Sequence, residues 1–288
     1  MRKIPESELI INPDGSVFHL HIKPEQLADK IIMMGDPGRV TLTAQYLDSI
    51  EFDISSREFH TITGSYKGKR VTIISHGIGT DNIDIVVTEL DALANVDFET
   101  RTVKEEFKQL TMVRVGTSGG LQPHTPVGSY VVAEKSIGFD GVLHYYDQSR
   151  EVCDVEFEDA FKKHVNWSPY HASPYVVDSD AELVERIGHD MIKGVTISAI
   201  GFYGPQGRHV RLPLADPNLN TNIASFRHEG HSITNYEMES SAIAGLSKMM
   251  GHKAMTVCSI IANRVAHESN TEYTGSVEDL LKTVLERI

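Results

Sequence analysis

Ile31-Ile32-Met33-Met34-Gly35-Asp36-Pro37-Gly38-Arg39 is an apolar run of strand length that breaks at a Gly/Pro turn, after which Arg39 opens a helical pattern through Leu42 and Leu47. The same unit recurs down the chain. Arg70-Val71-Thr72-Ile73-Ile74-Ser75 stops at Gly77-Ile78-Gly79, and Ile83, Val86, Val87, Leu90, Leu93 and Ala94 then follow at helical spacing. Met112-Val113-Arg114-Val115 stops at Gly116-Thr117-Ser118-Gly119-Gly120, and Tyr130-Val131-Val132-Ala133, residues 195–200 and residues 255–261 are further strand-length apolar runs. A helix is predicted over 237–250, with Ile243, Leu246, Met249 and Met250 at core spacing and Gly251 just past its end, and another over 277–288. Strands alternating with amphipathic helices predict an α/β fold with a mostly parallel sheet covered on both faces. Ligands of such sheets sit outside the carboxyl ends of the strands. Residues 1–15 read as a polar lead-in with a turn at Pro13-Asp14-Gly15, and residues 16–288 as one domain. The least regular stretch, 149–179, holds Pro169, Pro174 and the only tryptophan, Trp167.

The 288 residues carry a net charge of -13, with 40% hydrophobic and 23% charged residues, the composition of an ordinary globular protein. So acidic a chain argues against nucleic-acid and membrane partners. An anion would have to be held by local arginines and backbone amides. No apolar run is long enough to span a membrane, the first residues lack the apolar segment of a signal peptide, and the two cysteines, Cys153 and Cys258, make no disulfide framework. A cytoplasmic location is expected.

The loops carry the chemistry. Gly35-Asp36-Pro37-Gly38-Arg39 joins a strand to a helix, where amides and Arg39 suit an anion; a plain turn is the alternative. Gly116-Thr117-Ser118-Gly119-Gly120 matches Gly-x-Ser-x-Gly, but Pro123 and Pro126 break the helix that a nucleophile elbow needs. An anion site containing Arg114 is the better reading. Glu237 and Glu239, two apart, are not an acid/base pair by helical spacing, and Glu239 as a two-oxygen acceptor suits the vicinal hydroxyls of a sugar. Gly201-Phe202-Tyr203-Gly204-Pro205-Gln206-Gly207-Arg208 sets an aromatic ring, a carboxamide and a guanidinium on one loop, a set that fits a flat heterocycle such as uracil or a polar surface turn.

In this order the motifs resemble those of the nucleoside phosphorylase family, in its uridine-cleaving branch. The likeness runs from Val17-Phe18-His19-Leu20 through Gly35-Asp36-Pro37-Gly38-Arg39, Ser56-Arg57-Glu58-Phe59, Arg114-Val115-Gly116-Thr117-Ser118-Gly119, Gln122-Pro123-His124, Phe202 to Arg208 and Asn235-Tyr236-Glu237-Met238-Glu239-Ser240 to Asn263-Arg264. The resemblance implies a single α/β domain with a central mixed, mostly parallel sheet flanked by helices. It also implies that Gly35, Arg39, Arg114 and Thr117 hold phosphate, with Arg57 reaching in from a neighbouring subunit. Met238, Glu239, Thr117 and the neighbour's His19 would hold ribose; Phe202, Gln206 and Arg208 would hold the base. Arg114, Glu239 and Arg208 would carry the catalysis. Segments 97–109 and 149–179 depart from the family's usual pattern.

The implied reaction is phosphorolysis of uridine, or deoxyuridine, to uracil and the sugar 1-phosphate, with no metal and no cofactor and with phosphate as co-substrate. The resemblance also implies a homodimer or ring of dimers, and it allows a monovalent cation between subunits near Glu58 and Ile78, although Asn82 stands where the family often has serine. A purine-cleaving enzyme is the rival. Its expected acid, after the last core strand, is replaced here by Ala262. A non-catalytic nucleoside-binding protein is the second rival.

Overall fold

Lys30–Met34 form strand β1, and all but Lys30 are buried. Ile31 and Met33 pack into one core cluster with Ile83, Val86 and Leu90, while Ile32 and Met34 pack into a second with Val40, Leu280 and Val284. This is the two-residue period of a pleated strand, and covering both faces is what makes its sequence an unbroken apolar run. The structure is a computed structural model describing residues 2–266 and 268–288; Met1, at the head of the lead-in, and His267 lie outside the described residues.

After β1 come α1 (Pro37–Ala44), β2 (Ser49–Ser56), β3 (Phe59–Tyr66), β4 (Lys69–Ser75) and α2 (Thr80–Asn95). A small hairpin, β5 (Val96–Asp97) with β6 (Thr102–Val103), precedes β7 (Thr111–Gly120) and β8 (Tyr130–Gly138). Then follow α3 (Val155–Val165), β9 (Tyr175–Asp178), α4 (Ala181–Gly188), β10 (Ile192–Ser198), α5 (Leu219–Ser225), β11 (Arg227–His228) and β12 (His231–Glu237). The chain ends with α6 (Ser240–Met249), β13 (Lys253–Asn263), β14 (Glu268–Ser269) and α7 (Thr274–Arg287).

One sheet runs in the order β2-β3-β4-β1-β7-β13-β8-β10-β12-β11, with β9 beside β8 and β14 beside β13. β12 also pairs antiparallel with β7, so β7, β13, β8, β10 and β12 close into a ring. Helices α2 and α6 cover one face and α1, α4 and α7 the other, while α3 and α5 pack on β10 and β12 through Phe157, Phe161 and Ile223. The pairings β4-β1-β7-β13 and β8-β10-β12 are parallel. The antiparallel β2-β3-β4 meander and the ring closure make the sheet more evenly mixed than the strand–helix alternation implies. β2 escapes a reading by pattern because most of it is exposed edge.

Three sequence expectations shift. Residues 116–120 are not a loop but the continuation of β7. Their glycines mark close approach of neighbours rather than a turn: a Cβ on Gly116 would lie 2.6 Å from Arg114 Nη1, and one on Gly120 2.6 Å from the Thr125 carbonyl. Glu237 ends β12 instead of opening a helix, which begins at Ser240. Its carboxylate accepts the amide N–H groups of Glu239 and Ser240 from outside the helix (2.8 and 2.9 Å). The 149–179 stretch contains regular structure: Asp154 caps α3 by accepting from the Phe157 amide at 3.0 Å, and β9 joins the sheet. The lead-in is tied down by the Ile4 amide, which donates to the Arg101 carbonyl at 2.7 Å, and by an Ile11–Val17 bridge. No described helix is long and apolar enough to cross a membrane.

Candidate active site

Sheet register aligns the functional segments. Met34 of β1 stands opposite Ser75 of β4, and Met33 opposite Arg114 of β7, which also stands opposite Thr256 of β13. The residues just beyond, Gly35, His76 and Gly77, therefore meet Arg114 at one edge of the sheet. A cleft of about 1030 Å³ opens there, as expected for strand carboxyl ends. It gathers Gly35, Arg39, Arg114 and Thr117 from the strand-end side, Met238 and Glu239 from the segment after β12, and Phe202, Gln206 and Arg208 from the loop after β10.

The strand-end side is built around Arg114, which is 4% exposed. Its side chain folds back over Gly116, the residue two further along the same strand face, where only glycine leaves room. Nη1 meets Glu237 Oε2 at 2.9 Å and donates to Cys258 Sγ at 3.5 Å, Nη2 pairs with Glu239 Oε2, and Nε donates to His76 Nε2 at 3.3 Å. Glu237 is fully committed: Oε1 accepts from Ser198 Oγ at 2.6 Å and Ser240 Oγ at 2.7 Å, in addition to the two amides on Oε2. Glu239 accepts the Gly79 amide at 2.7 Å.

Burial opposes the charge on Arg114, but Glu239 and Glu237 outweigh it and hold the guanidinium above its ordinary value. Burial raises Glu239 above the usual carboxylate range; Arg114 opposes that and Glu237 adds to it. Burial, then the charge of Arg114, holds His76 well below the usual histidine range, so its imidazole is neutral. Burial likewise pushes the Cys258 thiol up to about 12, which leaves it protonated and unreactive.

The other side is a loop that holds itself. The Arg208 guanidinium stacks 3.7 Å from the Phe202 ring centroid and donates to the Phe202 carbonyl and to Gln206 Oε1, the latter at 2.6 Å. Arg264 donates to the same Oε1 at 3.2 Å and to the Gln206 carbonyl, and lies 5.0 Å from the Tyr236 ring centroid. Two guanidiniums, which only donate, settle which end of the Gln206 amide is oxygen. Its NH₂ is left for another acceptor. Burial and then Arg264 lower Arg208 to about 10. Ala262 lines the cleft, so no acid occupies that position.

His19 and Arg57 do not line this cleft. They meet around Phe18, whose ring lies 4.8 Å from that of His19 and 5.7 Å from Arg57 Cζ. Arg57 occupies the turn between β2 and β3 with φ 55°, next to Glu58, which does line the cleft. His19 is fastened by Glu89 of α2: Nδ1 lies 2.6 Å from Oε1, and the amides of His19 and Leu20 donate to the same carboxylate.

Arg264, Glu237 and His76 contact the candidate site residues and were given no role by motif reading. An arginine directly after the last apolar strand was a usable signal for Arg264. His76 carried none, since Ser75-His76-Gly77 reads as the end of a strand. A more apolar hollow of about 790 Å³, walled by residues such as Trp167, Ile200 and Leu212, shares only Arg208 with the cleft. Apart from the shared Arg208, its charged wall residues Arg211 and Asp216 are exposed, whereas the cleft at the strand ends holds the buried Arg114, Glu237 and Glu239. Among the described residues, one group that could hold a metal ion, Glu156, His228 and Glu229, lines neither cavity, and its two carboxylate residues are exposed.

Comparison with known proteins bears on the fold and the family. The family model described as the phosphorylase superfamily matches residues 29–288. The uridine phosphorylase of Thermococcus kodakarensis is 28% identical over 274 residues, covering 93% of this chain and 85% of the relative. That of Escherichia coli K12 is 30% identical over 263 residues, covering 88% of each. The solved structure of a Trypanosoma brucei nucleoside phosphorylase that shows uridine phosphorylase activity superposes with a TM-score of 0.86 at 29% identity, covering 97% of this chain and 98% of that one.

Proposed function

Because the chain belongs to the phosphorylase superfamily, we propose that it catalyses the phosphorolysis of uridine to uracil and ribose 1-phosphate. A phosphate oxygen attacks the anomeric carbon as the bond from that carbon to the base nitrogen breaks. The electron pair leaves on the base, which takes up a proton to become uracil. The sugar passes through an oxocarbenium-like state, as in glycoside hydrolysis, and no protein nucleophile is required. Uridine phosphorylases among the relatives support the substrate.

Gly35, Arg39, Thr117 and Arg114 hold phosphate in this reading, and Glu239 accepts the ribose hydroxyls beside Met238. Phe202, Gln206 and Arg208 take the base, and their hydrogen bonds stabilise the charge that develops on it. The observation that carries the pyrimidine assignment is Ala262, which lines the cleft where a purine-cleaving enzyme would place an acid, and Gln206 adds a donor suited to an oxo-base. With Oε1 taken by Arg208 and Arg264, it presents its NH₂ to a ring carbonyl. The absence of an acid at Ala262 removes the proton donor a purine would need. Inorganic phosphate is the co-substrate and no cofactor takes part.

The working unit in this reading is a homo-oligomer. The charged residues lining one cleft are Arg39, Arg114 and Arg208 against Asp36, Glu58, Glu237 and Glu239, three positive and four negative. A phosphate dianion entering that field needs a further cation, and the Phe18–His19–Arg57 patch of a second copy would supply it across a two-fold interface.

Uracil release from uridine should require phosphate and exceed hypoxanthine release from inosine; faster inosine cleavage, or release without phosphate, contradicts the assignment. Mixing an Arg57→Ala chain with an Arg208→Ala chain under conditions of subunit exchange should restore about a quarter of the sites if dimers share them. No recovery after confirmed exchange would show that each chain is self-sufficient.

A further inference from the structure

The ring of His76 is completely buried, stands just beyond β4, and does not line the cleft. Its Nε2 accepts from Arg114 Nε at 3.3 Å. That assigns the ring proton to Nδ1, because a neutral imidazole has one donor and one acceptor and the bond at one nitrogen selects the tautomer. Among the described residues Nδ1 is one of the few buried polar atoms with no well-aligned hydrogen-bond partner, only the nearby backbone of His76 and Gly77. A buried donor left unpaired costs stability, and a phenylalanine would fill a similar space without that cost. The useful end of the ring is therefore Nε2.

Arg114 has five N–H donors. Nε donates to His76, Nη1 to Glu237 and Cys258, and Nη2 to Glu239, which leaves a single Nη2–H for the cleft. The two carboxylates grip the far end of the guanidinium, whereas His76 is the polar contact at Nε, where the group joins its stem. The ring also abuts the anion loop: a Cβ on Gly35 would lie 3.9 Å from His76 Cε1.

We propose that His76 is a positioning residue of the phosphate site, fixing the plane of the Arg114 guanidinium through Nε so that its remaining N–H points at the attacking anion. This rests on the reading of the cleft as a phosphate site. A charged imidazole could not serve, since both its nitrogens would donate and would face an arginine. A lysine or arginine there would likewise push Arg114 away.

The test compares His76→Phe, which keeps the volume without the acceptor, with His76→Gln, whose amide oxygen reaches close to the position of Nε2. Inorganic phosphate affinity is measured by calorimetry, KM for phosphate and for uridine are measured separately, and melting temperatures are recorded. His76→Phe should weaken phosphate binding by about 10- to 100-fold, the size of a lost hydrogen bond to a charged group. KM for uridine should stay within about twofold of the parent, and His76→Gln should recover most of the phosphate affinity. Equal phosphate affinity in His76→Phe and the parent overturns the proposal. So does a loss shared by phosphate and uridine that tracks a fall in melting temperature and that glutamine does not restore. A parent that binds phosphate but releases no uracil would refute the substrate assignment and leave the affinity comparison readable. A parent that binds no phosphate would refute both.

Discussion

At the strand-end side of the cleft Arg114 is 4% exposed and wedged between Glu237 and Glu239, while at the loop side Phe202 is 50% exposed and Arg208 rests on its ring. The first side is organised before any ligand arrives. Every oxygen of Glu237 is occupied, and the guanidinium is held by groups on β4, β12 and β13 and their flanks. The second side satisfies itself: Arg208 uses on Phe202 and Gln206 the same face and N–H groups that a base would engage. On the proposed reading of the cleft, a substrate would meet fixed charges where bonds form and break, and exchangeable contacts where identity is read. This suits a reaction whose charge development demands preorganisation at one point and whose leaving group must enter and depart at another.

The sharpest way to break the comparison is Arg114→Ala. It strands two carboxylates in the interior, so a loss of about 3–5 kcal/mol in folding stability is expected, because one partner of a buried ion pair is left uncompensated. Phosphorolysis should fall beyond about 10³-fold in whatever folded fraction remains. Denaturant unfolding alongside rates per folded molecule would show this, and a stable, active variant would mean that the strand-end side is no more rigid than the loop. Arg208→Ala probes the other side. It should cost about 10²–10³ in rate with uridine, yet leave phosphate affinity and melting temperature near those of the parent. A matching fall in phosphate affinity would show that the two sides are not separable.

Gly116→Ala is subtler. The added methyl would sit 2.6 Å from Arg114 Nη1 and 2.9 Å from Cζ, and the guanidinium, pinned by two carboxylates, has little room to yield. Overpacking of this kind costs about 1–3 kcal/mol of folding stability, and the displaced guanidinium should lower kcat/KM for phosphate by up to about 10²-fold, the effect of a misplacement of about 1 Å. An unchanged rate would show that Arg114 can slide. The smallest effect concerns pH. Burial raises Glu239, so the acid limb of the kcat/KM profile should lie above 4.5, the ordinary glutamate value. An acid with a raised folded pKa binds its proton more readily in the native state, so this group by itself favours folding as pH falls. Activity should therefore fade through that limb before the protein unfolds, as parallel rate and circular-dichroism titrations would show. A limb at or below 4.5, or one that coincides with unfolding, would place the titration elsewhere.

Much of the fold was legible because its strands are covered on both faces. Ile31 to Met34 is apolar throughout and Met255 to Ile261 is interrupted only by Thr256 and Ser259, and such runs admit few alternatives. β2 and β3 were not: β2 is an exposed edge strand with little hydrophobic signal, and β3, though mostly buried, alternates its apolar residues with His60, Thr61, Thr63 and Gly64. The glycines after Val115 misled in an instructive way. A glycine is demanded both by a tight turn and by a neighbour's close approach, and residue order alone does not distinguish the two. Here Arg114 and Thr125 supply the neighbours.

By itself the sequence determined the layered α/β class, the net negative charge, and the residue types that converge at strand ends: Gly35, Arg114, Glu239, Gln206 and Arg208. Those follow from local period and side-chain chemistry, which neighbouring residues reveal. Only the tertiary structure decided that Arg114 lies across Gly116 into two carboxylates, that Arg264 and Arg208 share one oxygen of Gln206, and that a buried neutral His76 touches the arginine from just beyond β4. These contacts join residues 38, 58, 123 and 125 positions apart in the chain. Their partners come from separate strands and loops that sheet register brings side by side, and no local pattern encodes that register.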